Sequence, residues 1–475
     1  MTRFRLILGT AMGAALCGTS VLAQDNAPED LLPPEPAKVT EELPDYTVDT
    51  AKPAAQPSVA DSFDDIRMSP GEVVQQLPVL VREWSVPQAE QLLAFIPTME
   101  AEGLVPSDYR APELRAAIAG GEGAALNEIA SEIFVWLVED LRDGRTPMEA
   151  RRQWFVVDPD PDLLPSHRLL EAAVETGDIA GALTALNPVS PDYAQLREEL
   201  AVTTDPAKRK LIRANMDRWR WLPRDLGKQY LLTNVPEYQL RLTVNDKIIK
   251  HYRVVVGKPG RTATPQLSEM VEAVIFNPTW TVPQSIVKGE GLGAKVLNNP
   301  GWARANGYKA TKGANGWISV VQQPGPGNSL GLMKLDMPNP HAIFFHDTPA
   351  KALFARDNRA LSHGCIRVQG ARELAMTMAM LGNASSREEL PAIQQEVSEI
   401  TASGIYTRYP MEKQWPAYIT YFTYGVDVNG ELRQFDDIYG RDAPVLAALD
   451  APRQRERARE TSEEVIEIVD DLQTS

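Results

Sequence analysis

The sequence predicts an α+β protein, a helical N-terminal domain over 61–205 followed by a β-rich domain over 206–450. Three observations carry this expectation. Ile129, Ile133, Phe134, Trp136, Leu137 and Leu141 recur at helical spacing, and the run stops at Asp143-Gly144. Tyr238, Leu240, Leu242 and Val244 alternate with polar residues, Asn245-Asp246 interrupts them, and Ile248 to Val256 resumes, the pattern of a hairpin. Gln284 to Pro338 then abandons both periods for a run rich in Gly, Pro and Asn. A long irregular insertion of this kind commonly covers a site.

The elements follow in order. Arg3 and Arg5, the apolar stretch Leu6 to Leu16 and the small-residue pattern Val21-Leu22-Ala23 predict a cleaved secretory signal peptide over 1–23. Residues 24–60 hold seven prolines, eight acids and two lysines, too little apolar surface to fold, and read as a linker. Ser85-Val86-Pro87-Gln88 is a capping box that opens a helix. Its aromatics and those of 129–141 read as core, so the helical domain is a scaffold. Ala207 to Trp221 predicts another helix. Val274-Ile275-Phe276, Ala342 to Phe345 and Tyr418 to Phe422 read as short strands, and Asn429-Gly430 as the turn of a late hairpin. The β-rich domain is expected to have few helices. Residues 451–475 are a charged tail, which reads as a solvated face.

Composition excludes several functions. Forty-eight Lys and Arg against 64 Asp and Glu leave a net charge of −16, a poor match to nucleic acid. Two cysteines, Cys17 and Cys365, cannot staple a disulfide scaffold. Signal cleavage removes Cys17, leaving one thiol in an oxidising compartment, so Cys365 is either buried and inert or kept for chemistry.

The chemistry concentrates in Ala342 to Gln369. His346 ends an apolar run, and Ser362-His363-Gly364-Cys365-Ile366-Arg367 follows after fifteen residues. A nucleophilic thiol needs a base, and a histidine on a neighbouring strand can take its proton and later return it to a leaving amine. That suits His346 better than His363, which is two residues from the thiol. The N–H groups of Gly364 and Cys365 could bind an oxyanion, and Arg367 could meet a carboxylate. A second reading takes His341, His346, Asp347, His363 and Cys365 as zinc ligands, although none falls in a familiar ligand spacing.

The Ser-His-Gly-Cys segment with its upstream histidine resembles the signature of L,D-transpeptidases with a YkuD-type catalytic domain. The likeness extends to Arg218-Trp219-Arg220-Trp221-Leu222-Pro223, Val254 to Lys258, Asn277 to Pro283, Gly325-Pro326-Gly327-Asn328 and Phe435 to Asp442, as in large Gram-negative members with a helical scaffold. The resemblance implies that Cys365 is the nucleophile and His346 its base. Ser362, His363 and Gly364 would shape the site, and Arg367, Trp280 and Asn328 would bind substrate. The insertion 284–338 would be a capping lobe. No cofactor or metal is implied. Donor and acceptor would be peptidoglycan tetrapeptide stems in the periplasm. D-Ala would be released and 3→3 diaminopimelate cross-links formed. Periplasmic or outer-membrane proteins are further expected partners. Water as acceptor would make the enzyme an L,D-carboxypeptidase, and a protein amine would make it an anchoring enzyme. A non-catalytic wall-binding protein is the alternative class.

Overall fold

The computed structural model describes residues 81–453, residue 315 excepted. The expected signal peptide, the linker 24–60, the first part of the scaffold and most of the charged tail lie outside the described residues.

The first part of the described chain is helical. Helix α1 (Val86–Phe95) is opened by the Ser85–Gln88 capping box that the sequence encodes. It is followed by α2 (Ala111–Ala119), α3 (Ala124–Arg142), α4 (Ser166–Thr176) and α5 (Ile179–Thr184). The stripe on α3 is core as expected, with Ile133, Phe134, Leu137 and Leu141 fully buried against Leu92, Leu170 and Leu183. Helix α6 (Pro191–Val202) and α7 (Pro206–Trp219) start at the side-chain caps Ser190 and Asp205, each followed by proline, which lacks only an N–H the helix would leave unpaired.

A barrel follows. Strands β2 (Gln229–Asn234), β3 (Gln239–Val244) and β4 (Lys247–Gly257) form a meander. Asn245 and Asp246 both take left-handed backbone at the β3–β4 turn, as a two-residue hairpin demands. Strand β5 (Gln266–Phe276) pairs antiparallel with β13 (Thr407–Thr420) along one edge. Along its other edge β5 pairs with the short β1 (Trp154–Phe155) and with β9 (Met333–Asp336). The ring β5-β13-β2-β3-β4-β12-β10-β9 therefore returns to β5, which removes exposed sheet edges. Here β10 is Phe345–His346, β11 is Ala360–Ser362, paired to β4, and β12 is Ile366–Val368. The core holds Leu231, Val254, Val256, Phe345, Ile366 and Val368.

The β-rich domain carries more helix than expected. Two helices, α10 (Ala371–Asn383) and α11 (Leu390–Ser403), separate β12 from β13. Leu374, Ala375, Met378 and Ala379 give α10 an apolar stripe that packs into the barrel core. The late hairpin β14 (Tyr424–Val426) and β15 (Leu432–Gln434) forms as read, and α12 (Asp442–Asp450) follows.

The insertion is folded rather than irregular. Strands β6 (Trp280–Thr281), β8 (Ile318–Gln322) and β7 (Tyr308–Lys312) make a separate three-stranded sheet. Helices α8 (Leu292–Asn298) and α9 (Pro300–Ala305) cover it. Val282, Val287, Val296, Ala303 and Val320 form its own small core. Many of its glycines and prolines sit at the joints between these elements, and Gly293 and Gly301 lie within the short helices, which is why composition alone read as loop.

Scaffold and barrel share a third core. Tyr193, Leu196 and Leu200 of α6 and Trp219 of α7 meet Tyr230 and Leu232 of β2, Tyr418 and Phe422, and Val445 and Leu449 of α12. Trp219 stacks on Phe422 at 4.7 Å.

Candidate active site

Strand β10 lies parallel to β12, with His346 opposite Arg367, and antiparallel to β9, with His346 opposite Lys334. Side chains alternate between faces along a strand. Phe345, Ile366 and Leu335 point into the core and are fully buried. Lys334, His346 and Arg367 thus form a row across three strands on the opposite face. Cys365 lies two residues before Arg367, and Phe344 two before His346, so both join that face. The rings of Phe344 and His346 meet edge-on at 5.7 Å.

The thiol loop is held by side chains. Ser362 Oγ donates to the Cys365 carbonyl at 2.6 Å and accepts the Gly364 N–H at 3.1 Å. Thr264 Oγ1 donates to the Gly364 carbonyl at 2.7 Å and accepts the Gly257 N–H at 2.8 Å. Tyr439 closes the set by donating to the Gly257 carbonyl at 2.6 Å. Gly364 has φ +120°, a conformation that favours glycine, and a Cβ there would stand 3.2 Å from Ile343 Cδ1, which would have to shift slightly. The expectation that the Gly364 N–H binds an oxyanion is corrected: Ser362 already takes that proton donor. The Cys365 N–H remains, beside its own sulfur.

Cys365 Sγ donates to the Ala342 carbonyl at 3.5 Å. Burial pushes the thiol pKa up, while the Phe344 N–H, Lys334 and Arg367 pull it back. His346 is buried, and its Nδ1 hydrogen-bonds the Asp347 carbonyl. A carbonyl can only accept, so Nδ1 carries the proton and Nε2 keeps its lone pair. Burial, with Arg367 and Lys334 adding repulsion, pushes the imidazole down to about 3. Both groups rest neutral near pH 7. Asp347 is fixed in turn by Lys351 and by the Leu332 N–H at 3.1 Å.

Models of two known families match this chain. The YkuD model, described as an L,D-transpeptidase catalytic domain, matches residues 228–381, which span the barrel from β2 to α10 and include both His346 and Cys365. A Scaffold domain model matches 81–200. The chain thus carries a YkuD-type L,D-transpeptidase catalytic domain over 228–381 and a Scaffold domain over 81–200. A Haemophilus influenzae (strain Rd) protein named "Putative L,D-transpeptidase" is 26% identical over 383 residues, covering 76% of this chain and 75% of that one. Among solved structures, an L,D-transpeptidase from Mycobacterium smegmatis is 10% identical at a TM-score of 0.19, covering 41% of this chain and 58% of that one. A mutant Enterococcus faecium L,D-transpeptidase is 13% identical at a TM-score of 0.20, covering 42% and 52%. The chain thus spans little more than half the length of these solved structures.

The remaining candidate residues are placed as follows. His363 is exposed, and its Nε2 lies 3.2 Å from Glu290 of the capping lobe, so the lobe touches the thiol loop. Trp280 belongs to the lobe: it pairs with Gln322 and packs against the lobe core. Asn328 is corrected from substrate ligand to staple. It is 1% exposed; its amide donates to the carbonyls of Pro278 at 3.0 Å and Gln323 at 2.9 Å, and its oxygen accepts the Leu330 N–H. It fastens the two ends of the lobe and has nothing left for a ligand. His341 packs on Phe155, with ring centroids 4.1 Å apart and planes tilted by 31°. Among the described residues no three His, Cys, Asp or Glu side chains converge on a metal position. Lys334 was not singled out by the sequence, because a lysine in a short strand reads as surface.

Proposed function

We propose that this chain is an exported cysteine L,D-transpeptidase that joins peptidoglycan tetrapeptide stems by 3→3 cross-links through a thioester on Cys365. The observation that carries this reading is a partly exposed thiol one strand from a buried, neutral imidazole whose tautomer is fixed. Export rests on the signal sequence, and the periplasm is the compartment where the stems lie.

The reaction proceeds in two transfers. As Cys365 Sγ attacks the carbonyl carbon at the L-centre of diaminopimelate, its proton leaves Ala342 O for His346 Nε2. The Cys365 N–H holds the oxyanion that forms. The amide C–N bond then breaks, His346 gives its proton to the departing D-Ala nitrogen, and a thioester remains. The amine of a neighbouring diaminopimelate attacks the thioester, a new C–N bond forms, and the C–S bond breaks. His346 carries the amine proton back to sulfur. Because both groups rest neutral, attack is base-assisted rather than by a preformed thiolate.

The test is intact-protein mass spectrometry after incubation with disaccharide-tetrapeptide. The parent should gain the mass of the disaccharide-tripeptide acyl group, and Cys365→Ala should gain nothing. An adduct retained by Cys365→Ala, or none on the parent, overturns the reading. The ratio of cross-linked dimer to free tripeptide distinguishes transpeptidation from the carboxypeptidase alternative.

A further inference from the structure

The face that carries the thiol also carries two cations, Lys334 and Arg367, that no carboxylate meets in an ion pair among the described residues. Lys334 lies opposite His346 in the β9–β10 ladder, and its ammonium sits 4.1 Å from the centre of the Phe344 ring. Among the described residues it makes no ion pair. Asp336, two residues along the same strand, attracts Lys334 at longer range but is ion-paired to Arg408 at 2.6 Å. Arg367 is on the other side of His346, one strand over, and its buried Nε has no hydrogen-bond partner. Both cations interact electrostatically with the Cys365 sulfur. Several buried cations elsewhere are matched by carboxylates, Arg142 by Asp143, Arg218 by Asp442 and Arg241 by Glu237, while Arg359 and Arg441 rest on carbonyl and amide oxygens. Desolvating a cation without a close ion-pair partner is costly, so two such cations beside the thiol favour the binding of an anion between them.

We propose that Lys334 and Arg367 together hold the free carboxylate of the residue that the thiol expels, with Lys334 as a specificity-determining residue. The inference rests on the thioester reading above. In a peptide ending –CO–NH–CHR–COO⁻, the terminal carboxylate carbon is three bonds from the scissile carbonyl carbon. Of all the donor's charges it is the one that must lie beside the sulfur during attack. Adjacent strands are about 4.8 Å apart, so cations on the strands either side of β10 can both reach a group seated over His346. Only the last peptide bond of a chain places a carboxylate there, so the Lys334–Arg367 contact gives a physical basis for the tetrapeptide donor of the reading above.

The test compares two donors, disaccharide-tetrapeptide with a free terminal carboxylate and the same molecule as its C-terminal carboxamide. Single-turnover acylation is followed by intact mass for the parent, Lys334→Met and Lys334→Arg. The parent should acylate about tenfold or more faster with the acid than with the amide, the scale of one charge-assisted hydrogen bond. Lys334→Met should lose most of that preference by slowing on the acid alone, and Lys334→Arg should keep a good part of it. Iodoacetamide labelling of Cys365 reports whether each variant still presents the thiol. Equal slowing on both donors, with the acid preference intact in Lys334→Met, overturns the proposal and leaves Lys334 acting only on the sulfur. Absence of any thioester on the parent with either donor would be the failure of the thioester reading itself.

Discussion

Ser362 spends its one hydroxyl on two backbone groups of the thiol loop, the Cys365 carbonyl and the Gly364 N–H. Ser362→Ala leaves both without that partner, a cost of about 1–3 kcal/mol per buried group. The expected outcome is a lower melting temperature and slower acylation with Cys365 still open to alkylation; an unchanged acylation rate would show that the loop holds itself. The acid–base pair predicts a pH profile. His346 is pushed down to about 3, so its base form persists as pH falls well below the 6.5 of an ordinary imidazole. Cys365 is pushed up, so its thiolate fraction grows only on the alkaline side. Single-turnover acylation should therefore show no acid limb between roughly pH 5 and 8. A limb near the ordinary histidine value would mean that His346 is solvated in solution. At this scale the sequence showed the thiol and the imidazole, because their spacing is a motif. It could not show Lys334, whose place beside the sulfur depends on the β9–β10 register. Nor could it show that Ser362 takes the Gly364 N–H, because that bond exists only once the loop has folded.

The capping lobe is an element with its own core and a narrow neck. Trp280 pairs with Gln322, and Thr281 with Val321, so the lobe leaves and rejoins the chain as neighbouring strands. Replacing 282–320 by a two-residue turn should therefore leave a simple hairpin on an intact barrel. With the lobe gone, Glu290 no longer meets His363, and water reaches the thioester. Iodoacetamide should label Cys365 faster, and the ratio of tripeptide to cross-linked dimer should rise. An unchanged ratio at an unchanged rate would make the lobe decoration. A cut inside the lobe, such as removal of Gly301 to Val320, is a poorer experiment because it takes away β7, most of β8 and two of the five buried core residues, Ala303 and Val320. The hairpins of the barrel were legible in alternation and turn residues. The lobe was not, because five small buried residues scattered among glycines and prolines leave no period to read.

Across the whole molecule, the scaffold and barrel are joined by packing rather than by a tether. Trp219→Ala empties a site in the third core and removes the stack on Phe422, and should cost about 3–5 kcal/mol. Chemical denaturation should show one transition at lower denaturant rather than two; a barrel transition left in place while the scaffold melts would show the domains to be independent. The far end of the described chain makes the same connection. Arg453, after α12, donates to Asp140 at 3.0 Å and Glu139 at 2.7 Å on α3 and lies over the Trp136 ring. A chain ending at residue 450 should thus be destabilised in its scaffold, read as faster proteolysis near α3. The α+β class was legible from periodicity. The shared core was not, because its residues come from α6, α7, β2, β13 and α12 and read in sequence as parts of separate elements.

The position of β13 in the ring has a kinetic consequence. It is the last barrel strand in the chain, yet it lies between β2 and β5, two of the first. Until Thr420 has been made, β2 and β5 each show a bare row of amides and carbonyls, and the eight-stranded ring stands open. Contacts across such sequence distances close slowly, and open strand edges recruit one another between molecules while they wait. Folding of this chain is therefore a race between insertion of one late strand and aggregation of its early ones, and its yield on refolding should fall steeply as protein concentration rises.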